Sequence, residues 1–220
     1  GFAAIERATF VRYTDIVFLG CATVAAIVAQ RLRAAGLPMH TLRWWLASVA
    51  VFGAGVATTM AAAAAMTLVM TAAPLAAVAC SYSIEDGAHI IQWHLIGMFV
   101  PSFFSGRLVT RFGIWPMLSL GMALLVASAV TAITSQSLFA FYAALFLLGV
   151  GWNFMIVCGT TLFAQSYHPN ERPKTQAFGG LLNNLAGSAA ALSAGVALQN
   201  AGWSLLNVGT VPILLLCLVM

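Results

Sequence analysis

The sequence contains very little charge. Only 6% of its 220 residues are Asp, Glu, Lys or Arg, whereas 62% are hydrophobic and the mean hydropathy is +0.98. A water-soluble domain carries about 25% charged residues. The chain therefore lacks the charge needed to cover a water-facing surface, which excludes an ordinary soluble domain. It predicts a polytopic membrane protein whose side chains mostly face lipid.

Cysteines and catalytic motifs are also scarce. The four cysteines include no CxxC pair, so their spacing supports neither a metal cluster nor a disulfide framework. The chain has no HExxH, no GxSxG and no phosphate-binding glycine loop, the motifs that mark many hydrolases and nucleotide-binding enzymes. We therefore predict that the protein is not an enzyme and holds no catalytic site, metal or cofactor.

The formal net charge of +4 does not form a basic face. The cations occur in short clusters between apolar runs, whereas a nucleic-acid site needs a contiguous basic surface. We therefore expect no nucleic-acid partner. The nine cations are Arg7, Arg12, Arg31, Arg33, Arg43, Arg107, Arg111, Arg172 and Lys174.

Apolar runs alternate with short polar linkers along the chain. A membrane-spanning helix needs about 20 mostly apolar residues, and the runs lack the period-2 alternation of barrel strands. The pattern predicts an all-α bundle of six to seven transmembrane helices. The expected spans are 14–30, 46–78, 88–105, 114–134, 138–163, 176–199 and 203–220. We interpret 46–78 as one long tilted helix with a bend near Pro74, with two tight spans as the alternative.

Positive charge occurs in every second linker after residue 31. Arg or Lys is present in the linkers 31–43, 106–113 and 167–175. Neither occurs in the linkers 80–87, 135–137 and 200–202. By the positive-inside rule the first group is cytoplasmic. The alternation also favours six spans after residue 43, because one missed span would break it.

The N-terminal stretch does not follow this pattern. If 14–30 spans the membrane, Arg7 and Arg12 fall on the outer side. Two interpretations stay open: the helix lies at the membrane interface, or charges outside the given sequence set its orientation. The sequence begins at Gly1 and ends within an apolar run, and we expect it to be part of a longer protein.

The octet GRLVTRFG at residues 106–113 resembles a known cytoplasmic loop motif. The Major Facilitator Superfamily carries the motif glycine-x-leucine-x-aspartate-arginine-x-glycine, which Gly106, Leu108, Arg111 and Gly113 match. Thr110 stands where the aspartate is expected, which weakens a gate based on a charge pair. We interpret the octet as a hinge, since glycines allow a sharp turn and close helix approach.

Other segments are similar to a bacterial subgroup of this superfamily. They are 46–78, 94–106, 151–154 and 169–174, which resemble its seventh helix, eighth helix, tenth helix and the following cytoplasmic loop. The resemblance implies that residues 44–220 form a C-terminal six-helix half. Residues 1–43 would then be the end of the preceding helix and the central cytoplasmic linker. An N-terminal six-helix half is missing from the given sequence.

The resemblance implies a secondary active transporter in a bacterial inner membrane. Such a protein moves a small organic solute by alternating access, coupled to an ion gradient, and its partners are that solute and membrane lipid. Two alternatives stay open. One is a membrane-embedded enzyme with His94 as the base. The other is a structural or assembly protein, or a non-functional transporter fragment.

Polar side chains inside the spans are the candidate solute-binding residues. Each is costly in lipid unless it has a partner, so each needs a reason. Interhelical hydrogen bonding or helix packing is the alternative at every position. Small residues at four-residue spacing in 176–199 favour packing there. The candidates are Gln92, Trp93, His94, Met98, Trp152, Asn153, Asn183 and Asn184.

Overall fold

The computed structural model describes residues 39–166 and 169–219, and every regular element in these ranges is helical. The elements are α1 (Met39–Ala79), α2 (Ile84–Phe99), α3 (Ser102–Phe112), α4 (Ile114–Thr134), α5 (Leu138–Ala164), a 3-10 turn (Pro169–Glu171) and α6 (Arg172–Val219). The prediction of an all-α class is confirmed. The span expected at 14–30, and most of the expected domain 1–43, lie outside the described residues.

The chain divides into two compact units, with the boundary between Ala50 and Val51. In the first unit the described residues are the opening turns of α1. The second unit, residues 51–220, contains the remaining elements and all the contacts discussed below.

In the ranges that the structure describes, four helical stretches are long and apolar enough to cross a membrane. They are Ala47–Ala79, Ile114–Thr134, Leu138–Ala164 and Arg172–Pro212. The first continues through Pro74 as one helix, as expected. In the last, Gly202 has φ +74° and interrupts an otherwise helical backbone. The predicted linker 200–202 is therefore a one-residue break inside α6, because glycine alone adopts this conformation without strain.

The region 88–112 differs from the prediction in two ways. The expected single span 88–105 is two helices, α2 and α3, which meet at Val100 and Pro101. The expected linker 106–113 is helical up to Phe112, and the turn is made by Gly113 alone, with φ +89°. Proline has no amide hydrogen and interrupts the helical ladder, so the break lies at Pro101. The octet is therefore not a hinge loop.

The six crossings expected after residue 43 stay a prediction. α2 has 16 residues and α3 has 11. Neither reaches the length that a bilayer requires, so the crossing expected at 88–105 needs both helices. α1, α4 and α5 each contain a stretch that is long and apolar enough to cross a membrane, and the two crossings expected at 176–199 and 203–220 correspond to the parts of α6 on either side of Gly202.

A polar cap begins α2. The Ser83 Oγ accepts a hydrogen bond from the Asp86 backbone N–H at 3.0 Å, and the Ser83 N–H donates to the Asp86 carboxylate at 3.0 Å. This reciprocal pair is a capping box. The Ser83 hydroxyl also donates to the carboxylate at 2.7 Å. The hydrogen bond from the Ser83 hydroxyl makes the largest contribution to lowering the pKa of Asp86. The hydrogen bond from the Ser83 backbone N–H lowers this pKa further.

The helix α5 lies at the centre of the second unit and packs against α2 and α4. Its side chains Phe141, Leu145, Met155 and Cys158 are almost completely buried. Where α5 meets α2, a Cβ atom at Gly97 would overlap the backbone carbonyl of Phe146. In lipid, helices associate through such close backbone approach because the surroundings are as apolar as the side chains.

We predict that Gly97→Ala destabilises the protein by about 1–3 kcal/mol, because the added methyl group overpacks a contact with rigid backbone. Thermal unfolding in detergent measures the effect. Gly106→Ala is the matched control, since the space around its Cβ position is empty to 4 Å. That change should be neutral or stabilising by up to about 1 kcal/mol through helix propensity. Equal losses for both variants would contradict the α2–α5 contact.

Candidate functional site

His94 lies in the interface between α2 and α5. Its side chain is 0% exposed, and its Nδ1 lies 2.8 Å from the backbone oxygen of Leu145. A carbonyl oxygen only accepts hydrogen bonds, so Nδ1 carries the proton and Nε2 is left as an acceptor. Nε2 has no partner among the described residues. His94 therefore forms a contact between two helices. It is not among the residues that line the cavity described below.

The neighbouring candidates on α2 point elsewhere. Gln92 is exposed, and Trp93 is 47% exposed. The Trp93 ring meets the Phe146 ring edge-on, with centroids 6.2 Å apart. Successive residues of a helix differ by about 100° in direction. The three adjacent candidates 92–94 therefore do not form one site.

Asn153 is engaged at the break between α2 and α3. Its side chain is 4% exposed, and its Nδ2 donates to the backbone oxygen of Met98 at 3.0 Å and to the hydroxyl oxygen of Ser102. Met98 therefore contributes its main chain to this contact. The Asn153 Oδ1 has no partner among the described residues.

A cavity of about 210 Å³ opens between α1, α5 and α6. Each helix contributes residues at helical spacing, so that one face of each is turned to the cavity. The lining residues carry no formal charge. They are Val56 and Thr59 from α1, Ile156, Thr160 and Phe163 from α5, and Gln176, Gly179, Gly180 and Asn183 from α6.

The polar side chains of the cavity include both hydrogen-bond donors and acceptors. The Thr59 hydroxyl donates to the Val56 carbonyl at 2.9 Å, and the Thr160 hydroxyl donates to the Ile156 carbonyl at 2.6 Å. Because these protons are used within their own helices, the oxygen lone pairs remain. The Asn183 Oδ1 is buried and has no partner in the described residues. The side-chain amides of Gln176 and Asn183 also carry N–H donors, so the lining suits a solute that both donates and accepts hydrogen bonds.

Two adjacent glycines shape the α6 wall. A Cβ atom at Gly179 would lie 2.7 Å from the Phe163 ring, so the missing side chain lets that ring lie against α6. A Cβ atom at Gly180 would meet nothing within 4 Å. Gly180 therefore marks open space in the wall, which a larger side chain would fill.

Trp152 and Asn184 occupy different positions relative to the cavity. Trp152 lies one turn before Ile156 on the same face of α5, and its Nε1 has no partner in the described part of the chain. Its ring packs against the hydrophobic core, and it is not among the residues that line the cavity. Asn184 is exposed and is not among the lining residues. Of the predicted asparagine pair, Asn183 faces the cavity.

The octet residues form an exposed cationic face. Arg107 and Arg111 are one turn apart on α3, and within the described residues neither forms an ion pair. The Arg111 guanidinium carbon lies 5.4 Å from the Phe112 ring centroid. Thr110 donates to the Arg107 carbonyl at 2.9 Å, Leu108 packs against the core, and Gly106 is exposed.

Sequence reasoning missed several lining residues. Thr59 was not predicted, because a threonine hydroxyl can bond to its own helix in lipid, as it does here. Thr160 and Gln176, which also line the cavity, were not predicted either. The signal that could have found part of this set is the spacing of Gln176, Gly179, Gly180 and Asn183, which places them on one face of a helix. No group of three metal-ligating side chains occurs in the ranges that the structure describes.

Comparison with known proteins identifies the family. The sequence model of the Major Facilitator Superfamily matches residues 68–220. The riboflavin transporter RfnT of Brucella anthropi is 40% identical over 156 residues, 71% of this chain and 39% of its own length. The uncharacterized MFS-type transporter YddS of Bacillus subtilis is 36% identical over 154 residues, 69% of this chain and 35% of its own. No solved structure matches significantly.

The chain is therefore a multi-pass membrane protein, and it belongs to the Major Facilitator Superfamily. It spans less than two fifths of the length of the two relatives that it matches over the longest stretches. Membership of this family points to transport rather than catalysis.

We predict that His94→Ala lowers the stability by about 2–4 kcal/mol, because it leaves a cavity and an unpaired contact in a buried interface. Gln92→Ala, on the exposed side of the same helix, should change stability by less than about 0.5 kcal/mol. Thermal unfolding of both variants in detergent tests this difference. If His94→Ala kept full stability but lost solute uptake, the interface role would be wrong.

Proposed function

We propose that the complete protein is a secondary active transporter of a small organic solute in a bacterial inner membrane. In this proposal residues 44–220 are its C-terminal six-helix half, and residues 1–43 hold the preceding helix end and the cytoplasmic linker. Transport proceeds by alternating access and is driven by an ion gradient. The observation that carries the proposal is the uncharged cavity between α1, α5 and α6 in a chain of this superfamily.

The cavity is smaller than a complete small-molecule binding site. Complete small-molecule sites usually enclose about 300–1,000 Å³, and this one encloses about 210 Å³. Solute sites of such transporters form where two halves meet near the membrane midplane. We infer that the N-terminal half supplies the remaining wall, and that Trp152 lies toward the membrane centre from the cavity.

Riboflavin is the first solute to test. A relative that is 40% identical carries the name riboflavin transporter. Riboflavin combines a flat ring system, a ring N–H group and a hydroxylated chain. The Trp152 indole offers a surface for ring stacking. The side chains of Thr59, Thr160, Gln176 and Asn183 offer hydrogen-bonding groups to a neutral solute.

The two arginines on α3 have a separate role in this proposal. Arg107 and Arg111 contact phosphate groups of membrane lipid at the cytoplasmic surface. Guanidinium groups bind phosphate in a bidentate manner, and the cytoplasmic leaflet is negatively charged. This contact fixes the depth of α3 in the membrane.

We predict that the protein, expressed from its complete reading frame, restores growth of a riboflavin-auxotrophic bacterium at low riboflavin concentration. Uptake of labelled riboflavin by the same cells measures transport directly, and collapse of the ion gradient with an ionophore should abolish accumulation. Normal membrane insertion without riboflavin uptake would reject this solute. Absence of uptake for a broad panel of solutes would favour a structural or assembly protein instead.

We predict that Gly180→Leu lowers uptake at least about tenfold, because the side chain fills open space in the cavity wall. A loss of about 1.4 kcal/mol in solute binding is sufficient for that factor. Gly195→Leu is the matched control. It lies on the same helix and its Cβ position is equally empty, but it does not line the cavity.

The adjacent asparagines give a second comparison for the same site. Asn183→Ala removes a polar side chain that lines the cavity, whereas Asn184→Ala changes an exposed neighbour. The first variant should raise the solute concentration for half-maximal uptake, and the second should leave it unchanged. Equal effects of the two variants, or of the two glycine variants, would place the solute site elsewhere.

A further inference from the structure

Between α2 and α3 the helical hydrogen-bond ladder is interrupted, but the backbone keeps a helical conformation. Val100 and Pro101 keep right-handed helical dihedrals, with φ/ψ of −59°/−45° and −64°/−25°. The Val100 N–H still donates to Ile96, but Pro101 has no N–H to offer the Gly97 carbonyl. Past the break, Phe103 and Phe104 donate to carbonyls only three residues back. The two helices are thus joined at a point where the helical hydrogen-bond ladder is weakened.

The two sides of this break are held very differently. α2 is fixed to α5 through the Gly97 contact with the Phe146 backbone and through His94. In α3, by contrast, only Ser105 and Val109 are buried. A Cβ atom at Gly106 would meet nothing within 4 Å. A rigid segment therefore leads, through Pro101, into a lightly packed one.

Asn153 bridges the break from α5. One hydrogen of its amide goes to the Met98 carbonyl in the last turn of α2, and the other interaction reaches Ser102, the first residue of α3. The amide orientation follows from chemistry, because the Met98 carbonyl only accepts hydrogen bonds. Ser102 also donates to the Met98 carbonyl at 3.1 Å. One buried amide therefore holds both sides of the break to the same fixed helix.

We propose that α3 moves as a separate body about Val100–Pro101, and that Asn153 is the latch that holds it in the described position. Asn153 is then a positioning residue. Movement of α3 displaces Arg107 and Arg111, which it carries, and opens the end of the bundle where they lie. It also uncovers Ser105, which is 2% exposed when the latch is closed. This device does not depend on which solute is carried.

The test measures how fast a cysteine at position 105 reacts. Ser105→Cys is placed in the full-length protein after replacement of its native cysteines, and membranes are treated with a small thiol reagent. We expect Asn153→Ala to speed labelling about tenfold, the effect of losing about one to two hydrogen bonds. Ser102→Ala removes both hydrogen bonds that hold the start of α3, the one from Asn153 and the one to the Met98 carbonyl, so it should speed labelling by a similar factor.

A reference cysteine separates hinge opening from general loosening. Ser128→Cys replaces a residue that is 1% exposed on α4 and bonded to Ala144. Its labelling rate should not change in Asn153→Ala or Ser102→Ala. Parallel acceleration at positions 105 and 128, or no acceleration at 105 in either variant, overturns the proposal.

The proline provides a rescue experiment. Pro101→Ala restores the amide hydrogen and allows a continuous helical ladder through the break. Combined with Asn153→Ala, it should return the labelling rate at position 105 to the rate seen with Asn153 present. If the double variant labels as fast as Asn153→Ala alone, Pro101 is not the hinge and the proposal fails.

Discussion

Inside a membrane, a backbone carbonyl or a polar side chain must find its partner within the protein, because no water is present to replace one. This constraint explains how polar residues are used in the second unit. Ser128 donates to Ala144 at 2.7 Å and Trp203 to Ala132 at 3.0 Å. His94 and Asn153 likewise reach main-chain carbonyls of neighbouring helices. A carbonyl oxygen has two lone pairs, so it can serve its own helix and a neighbour together.

Glycine at the contact points makes these bonds geometrically possible. At Gly121 and Gly151 a Cβ atom would lie within about 3 Å of the opposing backbone oxygen, so α4 and α5 meet main chain to main chain. Short interhelical side chains such as Ser128 reach a carbonyl only at such separations. The helices α2, α4 and α5 form a rigid block for this reason. α6 keeps exposed apolar residues such as Leu181, Leu185 and Leu192 along much of its length.

The sequence is sufficient to predict those features of the fold that depend on a single physical rule. Low charge, span length and the alternation of cations lead to a helical membrane bundle, because these depend on lipid and membrane charge rather than on contacts. The break at Pro101 was not predicted, since proline inside apolar runs is tolerated at some positions, as at Pro74. Asn183 and Asn184 were equivalent in sequence. Only the neighbouring helices decide which one faces a cavity.

The same reasoning separates scaffold residues from candidate solute contacts. Polar groups that reach a carbonyl of another helix, such as His94 and Asn153, already have a structural use. Unpaired atoms alone do not mark a site, because the Asn207 Oδ1 is also unpaired although its side chain is 1% exposed and packed in the core. Asn183 has an unpaired Oδ1, and its side chain also lines the cavity. An alternating-access cycle needs both kinds of residue, one that keeps helices together and one that is free until the solute arrives.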